Sequence, residues 1–291
     1  MSDISLKHSN WVRVILIALL GFATVVSADD EFRVCADPDN LPFSNRQQEG
    51  FENKIAALLA ADLHLKLTYV WNKQRRGFIR HTLGEHRCDV VMGVPNGYEP
   101  VLTTKPYYQS GYVFVTKRDR QLKIDSFDDP QLRRFKIGLH AIGNDGANSP
   151  PATSLARRGI VGNIVGYSMW GEASEKNPQG KIVDAVAAGD IDAAIVWGPI
   201  AGYFAKQYAE DLVVAPVPAD QKIPAMPFAY EIAMGVRKGD EAYAGKLQSS
   251  IERNQQQIKD ILAAYNIPLI QHIEGTTQTR LESTDRAVSK I

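Results

Sequence analysis

Three residues near the start of the chain have side chains that could bind a small ligand. Residues 32–36 form a short strand, and Asp37, Asn40 and Phe43 follow it in a turn that contains Pro and Asn. An amphipathic helix is predicted over residues 52–63. Open α/β sheets bind ligands just beyond the carboxyl ends of their strands. We therefore expect a carboxylate, an amide and an aromatic ring at the mouth of a cleft.

Two further sites could bind anions. Arg75 and Arg76 precede Gly77 at the predicted start of a helix, where cations are unfavourable. The pair could bind carboxylates, or it could be a solvated helix start. Asn144 and Asp145 lie in a Gly-containing stretch before another helix, whose backbone N–H groups could contact an anion. A flexible loop is the alternative there.

Apolar residues could line the same cleft. Trp197 ends a buried strand, Gly93 and Pro95 end a similar strand earlier in the chain, and Tyr107 follows that strand. Trp197 either packs in the core or lines the cleft. In the second case the cleft would be aromatic, which would suit a flat ring or an aromatic side chain of a partner.

The sequence contains no pattern typical of a metal site or of catalysis. His81 and His86 are five residues apart, which does not place them on one helical face. Asp37 and Asp39 lack the spacing of a calcium-binding loop, and no nucleophile–base arrangement is recognisable. The chain has 33 basic and 33 acidic residues and no basic stripe, which argues against nucleic-acid binding. We expect a binding protein with no resident cofactor and no enzymatic activity.

The first residues are typical of an export signal. Lys7 and Arg13 precede an apolar run over residues 14–26, and Ala28 ends a small-residue cleavage site. The alternative, a membrane anchor, would need a run of about 20 residues. Cleavage removes Asp3 with the two basic residues, which leaves a net charge of about −1. We expect a periplasmic protein.

One pattern of helix, Gly, Asp and buried strand occurs twice. The first copy contains Gly84, Asp89 and residues 90–95, and the second contains Gly189 and Asp192 before a similar apolar run. Gly is typical of a helix end, and an unbroken apolar strand is typical of a sheet covered on both faces. Two copies predict two similar α/β lobes.

The predicted fold is α/β with two lobes joined by two hinge crossings, near residues 113–117 and 228–236. The predicted parts are a signal peptide (1–28), the first part of lobe one (29–116), lobe two (117–227), the return to lobe one (228–270) and a disordered tail (271–291).

The two cysteines, Cys35 and Cys88, give conflicting indications. An oxidising compartment favours a bridge between them. If their strands are parallel neighbours, however, the two residues are offset by about three or four positions, which exceeds the ~7 Å Cα limit of a disulfide. The register argues against a bridge, and the sequence leaves the pairing open.

The order of these motifs resembles type II periplasmic solute-binding proteins, specifically the amino-acid-binding subunits of ABC importers. A more specific resemblance is to the XoxJ/MxaJ family of periplasmic proteins associated with PQQ-dependent methanol dehydrogenases. The motifs that carry it are Cys35-Ala36-Asp37-Pro38, Gly50-Phe51-Glu52-Asn53, Gln74-Arg75-Arg76-Gly77-Phe78, Cys88-Asp89-Val90-Val91-Met92-Gly93-Val94-Pro95 and Leu102-Thr103-Thr104.

The chain departs from the amino-acid binders where they bind charge. The resemblance implies an Arg for the ligand carboxylate soon after the Asp strand of lobe one, but residues 96–101 contain none. It implies an Asp for the α-ammonium at the end of the matching strand of lobe two, where this chain has Trp197 and Gly198. An unpaired charge in a closed cleft costs several kcal/mol. We therefore expect no tight binding of amino acids.

The resemblance implies a role in the activation, assembly or maturation of a quinoprotein methanol dehydrogenase. Its partners would be the large subunit of that enzyme and its small cytochrome c, and the lanthanide-linked and calcium-linked branches both stay open. One alternative is an importer subunit for an uncharged or aromatic solute. Another is a carrier of PQQ or of the dehydrogenase metal.

Overall fold

The computed structural model describes residues 31–141, 148–171 and 175–270. The predicted signal peptide, the predicted tail and the loop containing Asn144 and Asp145 lie outside the described residues. Within the described part of the chain, no helix is long and apolar enough to cross a membrane.

The strands are β1 (Glu31–Ala36), β2 (Asp39–Asn40), β3 (Ser44–Asn45), β4 (Lys66–Trp71), β5 (Val90–Pro95), β6 (Leu102–Thr103), β7 (Tyr108–Lys117), β8 (Ile137–Ala141), β9 (Ile164–Ser168), β10 (Ala193–Trp197), β11 (Leu212–Pro216) and β12 (Ala229–Val236). The helices are α1 (Phe51–Asp62), α2 (Phe78–His81), α3 (Pro150–Arg157), α4 (Lys181–Ala188), α5 (Gly198–Ala205), α6 (Glu241–Arg253) and α7 (Gln255–Ala264).

One continuous sheet connects two halves of the molecule. Its order is β4-β1-β5-β12-β7-β10-β8-β9, with β6 paired to β12 and β11 paired to β7. Strand β7 pairs with β12 over residues 108–111 and with β10 and β11 over residues 112–117. β7 and β12 are therefore the two strands that lead from one half to the other, near the positions expected for the crossings.

Each half has apolar clusters around its part of the sheet. In the first half, α1, α6 and α7 cover one face with residues such as Ile55, Leu247 and Leu262. In the second half, α4 and α5 pack Ile182 and Ile200 against β7 and β10. The unbroken apolar strands thus have the covered faces that the sequence predicts.

The two cysteines form a disulfide, so the register argument against a bridge is wrong. Cys35 lies opposite Val91 in the parallel pairing of β1 and β5, as the three-residue offset requires. Cys88 comes before β5 begins, and its Cα is 5.4 Å from that of Cys35. Both side chains are buried with Leu83 and Phe78 beneath one face of the sheet. An ideal extended strand would carry Cys88 beyond reach of Cys35, so the backbone at Cys88 departs from the extended path of β5.

Two helices differ from what the sequence pattern predicts. Residues 241–265 read as one long helix, but they form two, because Asn254 lies between α6 and α7 and its side-chain amide donates to the Ser250 carbonyl (2.8 Å). Residues 77–84 likewise read as a helix, but only the four-residue α2 forms there. Strands β9 and β11 and helix α5 were not predicted, because their sequences lack a clear period of hydrophobic residues.

Candidate functional site

A cavity of about 300 Å³ lies where the two halves meet. Its walls come from the ends of strands β5 and β10, from the crossing strands β7 and β12, and from the loops around β2 and α1. The lining residues are Asn40, Phe43, Glu52, Gln74, Gly93, Val94, Pro95, Tyr108, Tyr112, Trp197, Tyr230 and Ile232. Five residues expected at the cleft from the sequence are among them: Asn40, Phe43, Gly93, Pro95 and Trp197. Their role in binding stays a prediction.

Asp37 positions the loop that carries Asn40 and Phe43, and it does not line the cavity. Its carboxylate accepts hydrogen bonds from the backbone N–H groups of Asp39 (2.9 Å) and Gln74 (2.5 Å). Its carbonyl accepts from the Ser44 hydroxyl (2.8 Å). Burial raises the pKa of Asp37, although these N–H groups favour its charged form. This residue is therefore structural and fixes the turn after β1.

Glu52 lies against Gly93 on the first-half wall of the cavity. A Cβ atom at position 93 would be 2.3 Å from Oε1 of Glu52, so the glycine leaves the space that this carboxyl occupies. Glu52 is in the first turn of α1, where an acidic residue interacts favourably with the helix N-terminus. No described residue makes a hydrogen bond or ion pair with its side chain.

The surroundings of Glu52 disfavour its charge. Its side chain is half-buried, and protein atoms enclose the carboxyl except towards the cavity. This burial raises the pKa of Glu52 to about 8. The carboxyl is therefore mostly protonated at neutral pH while the cavity is empty. Among the described lining residues Glu52 is the acidic one, and none of them is Lys, Arg or His.

Aromatic rings form the second-half wall. Trp197 is opposite Tyr112 in the pairing of β10 and β7, and their ring centroids are 5.5 Å apart in an edge-on contact. The ring centroid of Tyr230 on β12 is 5.9 Å from that of Trp197, also in an edge-on contact. Trp197 also packs against the apolar clusters of both halves. It therefore lines the cavity and contributes to packing at the same time.

Three further predicted cleft residues, Tyr107, Arg75 and Arg76, lie outside the cavity lining. Tyr107 turns its hydroxyl to the Met92 carbonyl, to which it donates (2.8 Å), and its neighbour Tyr108 lines the cavity instead. Arg75 is exposed, and its guanidinium lies 5.7 Å from the ring centroid of Trp170. Arg76 is also exposed and is not part of the lining.

A loop of the first half inserts into the second half next to the cavity. Leu41 is buried among Ile182 and its neighbours in the second-half cluster. The side-chain amide of the buried Gln179 donates to the Leu41 carbonyl (2.6 Å), and the Gln179 carbonyl contacts Nε2 of His140 (3.0 Å). Burial lowers the pKa of His140 to about 4, so this ring is neutral at physiological pH. These contacts hold the two halves together at one side of the cavity.

The aspartates of the repeated pattern lie at the amino ends of their strands, away from the cavity. Asp89 accepts from Arg33 (2.6 and 2.7 Å) and from Arg237 (2.7 Å). Burial opposes its ionisation, but these hydrogen bonds outweigh it and hold the pKa of Asp89 below its ordinary value. Asp192 pairs with Arg120 in the second half. Both aspartates therefore connect elements of the fold.

The lining residues that sequence reasoning missed are Glu52, Gln74, Val94, Tyr108, Tyr112, Tyr230 and Ile232. Tyr112 and Tyr230 lie on strands that were predicted to cross between the lobes, so their position at the crossing was a usable signal. Gln74 directly precedes Arg75 and Arg76, which were predicted at the cleft. Its side-chain oxygen accepts a hydrogen bond from the side-chain amide of Asn40 (3.1 Å).

The described lining residues offer aromatic faces, neutral amides and one carboxyl. They include neither of the charged groups that the resemblance implies for holding the ends of an amino acid. Among the described residues, no three His, Cys, Asp or Glu side chains come together in a way that could hold a metal ion. The cavity can therefore enclose an organic group of modest size and offer it one acidic contact.

Comparisons with known proteins agree with the architecture. Protein MoxJ of Paracoccus denitrificans is 31% identical over 271 residues, which are 87% of this chain and 94% of that protein. The crystal structure of the periplasmic binding protein XoxJ from Methylobacterium extorquens AM1 is 32% identical, with a TM-score of 0.68, and the match covers 83% of this chain and 100% of that one. The structure of MxaJ from Methylophaga aminisulfidivorans is 27% identical, with a TM-score of 0.72, and the match covers 82% and 100%.

These similarities confirm the predicted resemblance and the type II periplasmic binding fold. In addition, the profile of bacterial extracellular solute-binding proteins, family 3, matches residues 32–266 of the chain. This chain therefore belongs to the bacterial extracellular solute-binding proteins of family 3.

Proposed function

We propose that this chain is a periplasmic accessory protein for the activation, assembly or maturation of a PQQ-dependent methanol dehydrogenase, and that it has no enzymatic activity. The similarity to MoxJ, XoxJ and MxaJ extends over more than four-fifths of the chain and links it to methanol oxidation. The proposed partners are the large subunit of the dehydrogenase and its small cytochrome c.

The observation that carries the proposal is the composition of the cavity lining. An importer subunit for amino acids needs a cation for the ligand carboxylate, and no Lys, Arg or His is among the described residues that line this cavity. An unpaired carboxylate in such an enclosure costs several kcal/mol. The chain keeps the fold of a solute-binding protein and lacks the charged contacts of amino-acid transport, which favours a role with a protein partner.

An importer subunit for an uncharged or aromatic solute is the second candidate. The aromatic wall of Tyr112, Trp197 and Tyr230 favours it, because offset and edge-on contacts with a flat ring are favourable. A carrier of PQQ has less support, since Arg75 and Arg76 lie outside the cavity lining. A carrier of the dehydrogenase metal likewise has no cluster of ligands among the described residues to support it.

Affinity capture from the periplasm of methanol-grown cells, followed by native mass spectrometry, tests the proposal. We expect the dehydrogenase to be recovered with the mature protein. An amino-acid-binding member of the same family, used as bait, is the control for non-specific capture. Recovery of the protein alone, with a retained solute, would instead assign it to transport.

A matched pair of variants adds a test of the cleft. Trp197→Ala should weaken capture if the partner reaches the cavity. Val161→Ala changes an apolar side chain that is 62% exposed on the second half and should leave capture unchanged.

A further inference from the structure

The carboxyl of Glu52 lies in the cavity wall without an ionic or hydrogen-bonding partner among the described residues. Neither a hydrogen-bond donor nor a cation among the described residues contacts it. The titratable groups that interact electrostatically with Glu52 are the phenols of Tyr69 on β4, Tyr107 before β7 and Tyr108 on β7. Burial raises the pKa of each of these phenols, so all three are neutral at physiological pH.

The rest of the cavity would favour a positive charge. The faces of aromatic rings carry negative partial charge and attract ammonium groups within about 6 Å. Phe43, Tyr112, Trp197 and Tyr230 present such rings to the cavity. Asn40 and Gln74 add neutral amides, which can accept hydrogen bonds.

We propose that the cavity binds a small organic cation that carries an ammonium group and no carboxylate, with the ammonium group against Glu52 and the aromatic wall. A zwitterion fits less well, because its carboxylate would have no cationic partner among the lining residues. A neutral molecule of the same shape fits less well, because it could form no ion pair with Glu52 and would gain no cation–π contact. Binding at this site would involve only residues of this chain and would not require the dehydrogenase.

Binding of such a cation has a consequence for protons. An opposite charge favours the ionised form of a carboxyl. With a pKa of about 8, Glu52 is roughly one-tenth ionised at pH 7 in the empty cavity, so binding should release about 0.9 proton. A cation that requires the ionised form should bind about 50-fold more tightly at pH 8 than at pH 6.

Calorimetry with three probes of similar shape tests the proposal. Choline carries a permanent positive charge, 3,3-dimethyl-1-butanol is its neutral isostere, and betaine adds a carboxylate. We expect the mature protein to bind choline at least tenfold more tightly than either of the other two. Titrations in buffers of different ionisation enthalpy should show the release of a proton, since choline itself does not titrate.

Two variants locate the effect. Glu52→Gln keeps the size of the side chain and removes the charge, and it should abolish both the preference for choline and the proton release. Glu99→Gln is the matched control, because Glu99 lies outside the cavity lining and pairs with Lys238 on the surface. This control should bind choline as the natural protein does.

Three results would overturn the proposal. They are equal binding of choline and its neutral isostere, choline binding that Glu52→Gln leaves unchanged, and no binding of choline up to about 10 mM at pH 8. None of these results bears on capture of a dehydrogenase, so the two proposals can fail separately.

Discussion

Replacing Glu52 with Gln should make the protein more stable at alkaline pH. An ordinary glutamate in the unfolded chain has a pKa of 4.5, and burial in the cavity wall raises the pKa of Glu52 to about 8. Between these two values the folded protein keeps a proton that the unfolded chain loses. Unfolding therefore releases a proton in this range, and a rise in pH favours unfolding.

The size of the effect follows from the difference in pKa. Each pH unit between 4.5 and 8 removes up to about 1.4 kcal/mol, which gives an upper limit of about 5 kcal/mol for the loss through Glu52. Solvent reaches the carboxyl through the cavity, so we expect roughly half of that limit, on the order of 2–3 kcal/mol. Gln has nearly the same shape and no titration, and it should avoid this loss.

Urea unfolding at pH 4.5, 7 and 8.5 measures the prediction. We expect Glu52→Gln and the natural protein to have similar free energies of unfolding at pH 4.5 and to diverge as the pH rises. Glu99→Gln is the control, because the exposed Glu99 should not cause a divergence of this kind. Parallel curves for Glu52→Gln and the natural protein would refute the reasoning, because they would mean that Glu52 is as easily ionised in the fold as in the unfolded chain.

Three other changes have expected outcomes. Replacing Cys35 and Cys88 with Ala should lower the free energy of unfolding by about 4 kcal/mol, since the bridge joins residues 53 positions apart; urea unfolding with and without reductant checks this. Leu41→Ala should cost about 2–4 kcal/mol in the same assay and increase the radius of gyration in solution scattering, because Leu41 joins the two halves. Arg75→Glu should lower stability by less than about 1 kcal/mol in thermal unfolding, because the cation–π contact that its side chain makes with Trp170 is exposed to solvent.

The predicted site residues that line the cavity have one feature in common. Asn40 and Phe43 follow β1, Pro95 ends β5 and Trp197 ends β10. In α/β sheets the carboxyl ends of parallel strands meet at one edge, so residues after different strands converge. The topology could be predicted from the repeated pattern, and the convergence follows from it.

To predict the other lining residues, one would need to know the direction in which each side chain points. Glu52 begins a helix, and an acidic residue there already has a local explanation in the helix dipole. Successive side chains of a strand point to opposite faces, so the cavity positions of Tyr112 and Tyr230 depend on the register of each crossing strand. The argument against the disulfide assumes an ideal strand register. The departure of Cys88 from that register is not visible in the spacing of the residues along the sequence.

The described lining of the cavity lacks the cation of an amino-acid site but contains the carboxyl of Glu52. A cleft that had only become a packing surface would be expected to replace Glu52 with an apolar residue, since a buried carboxyl without a partner lowers stability above pH 4.5. Instead, Gly93 leaves space for that carboxyl, and a larger side chain there would displace it. A local cost in stability that no ion pair or hydrogen bond among the described residues offsets is expected where function requires it. The unpaired Glu52 therefore argues that the cleft still receives a specific group, and that this group carries the positive charge that the protein does not provide.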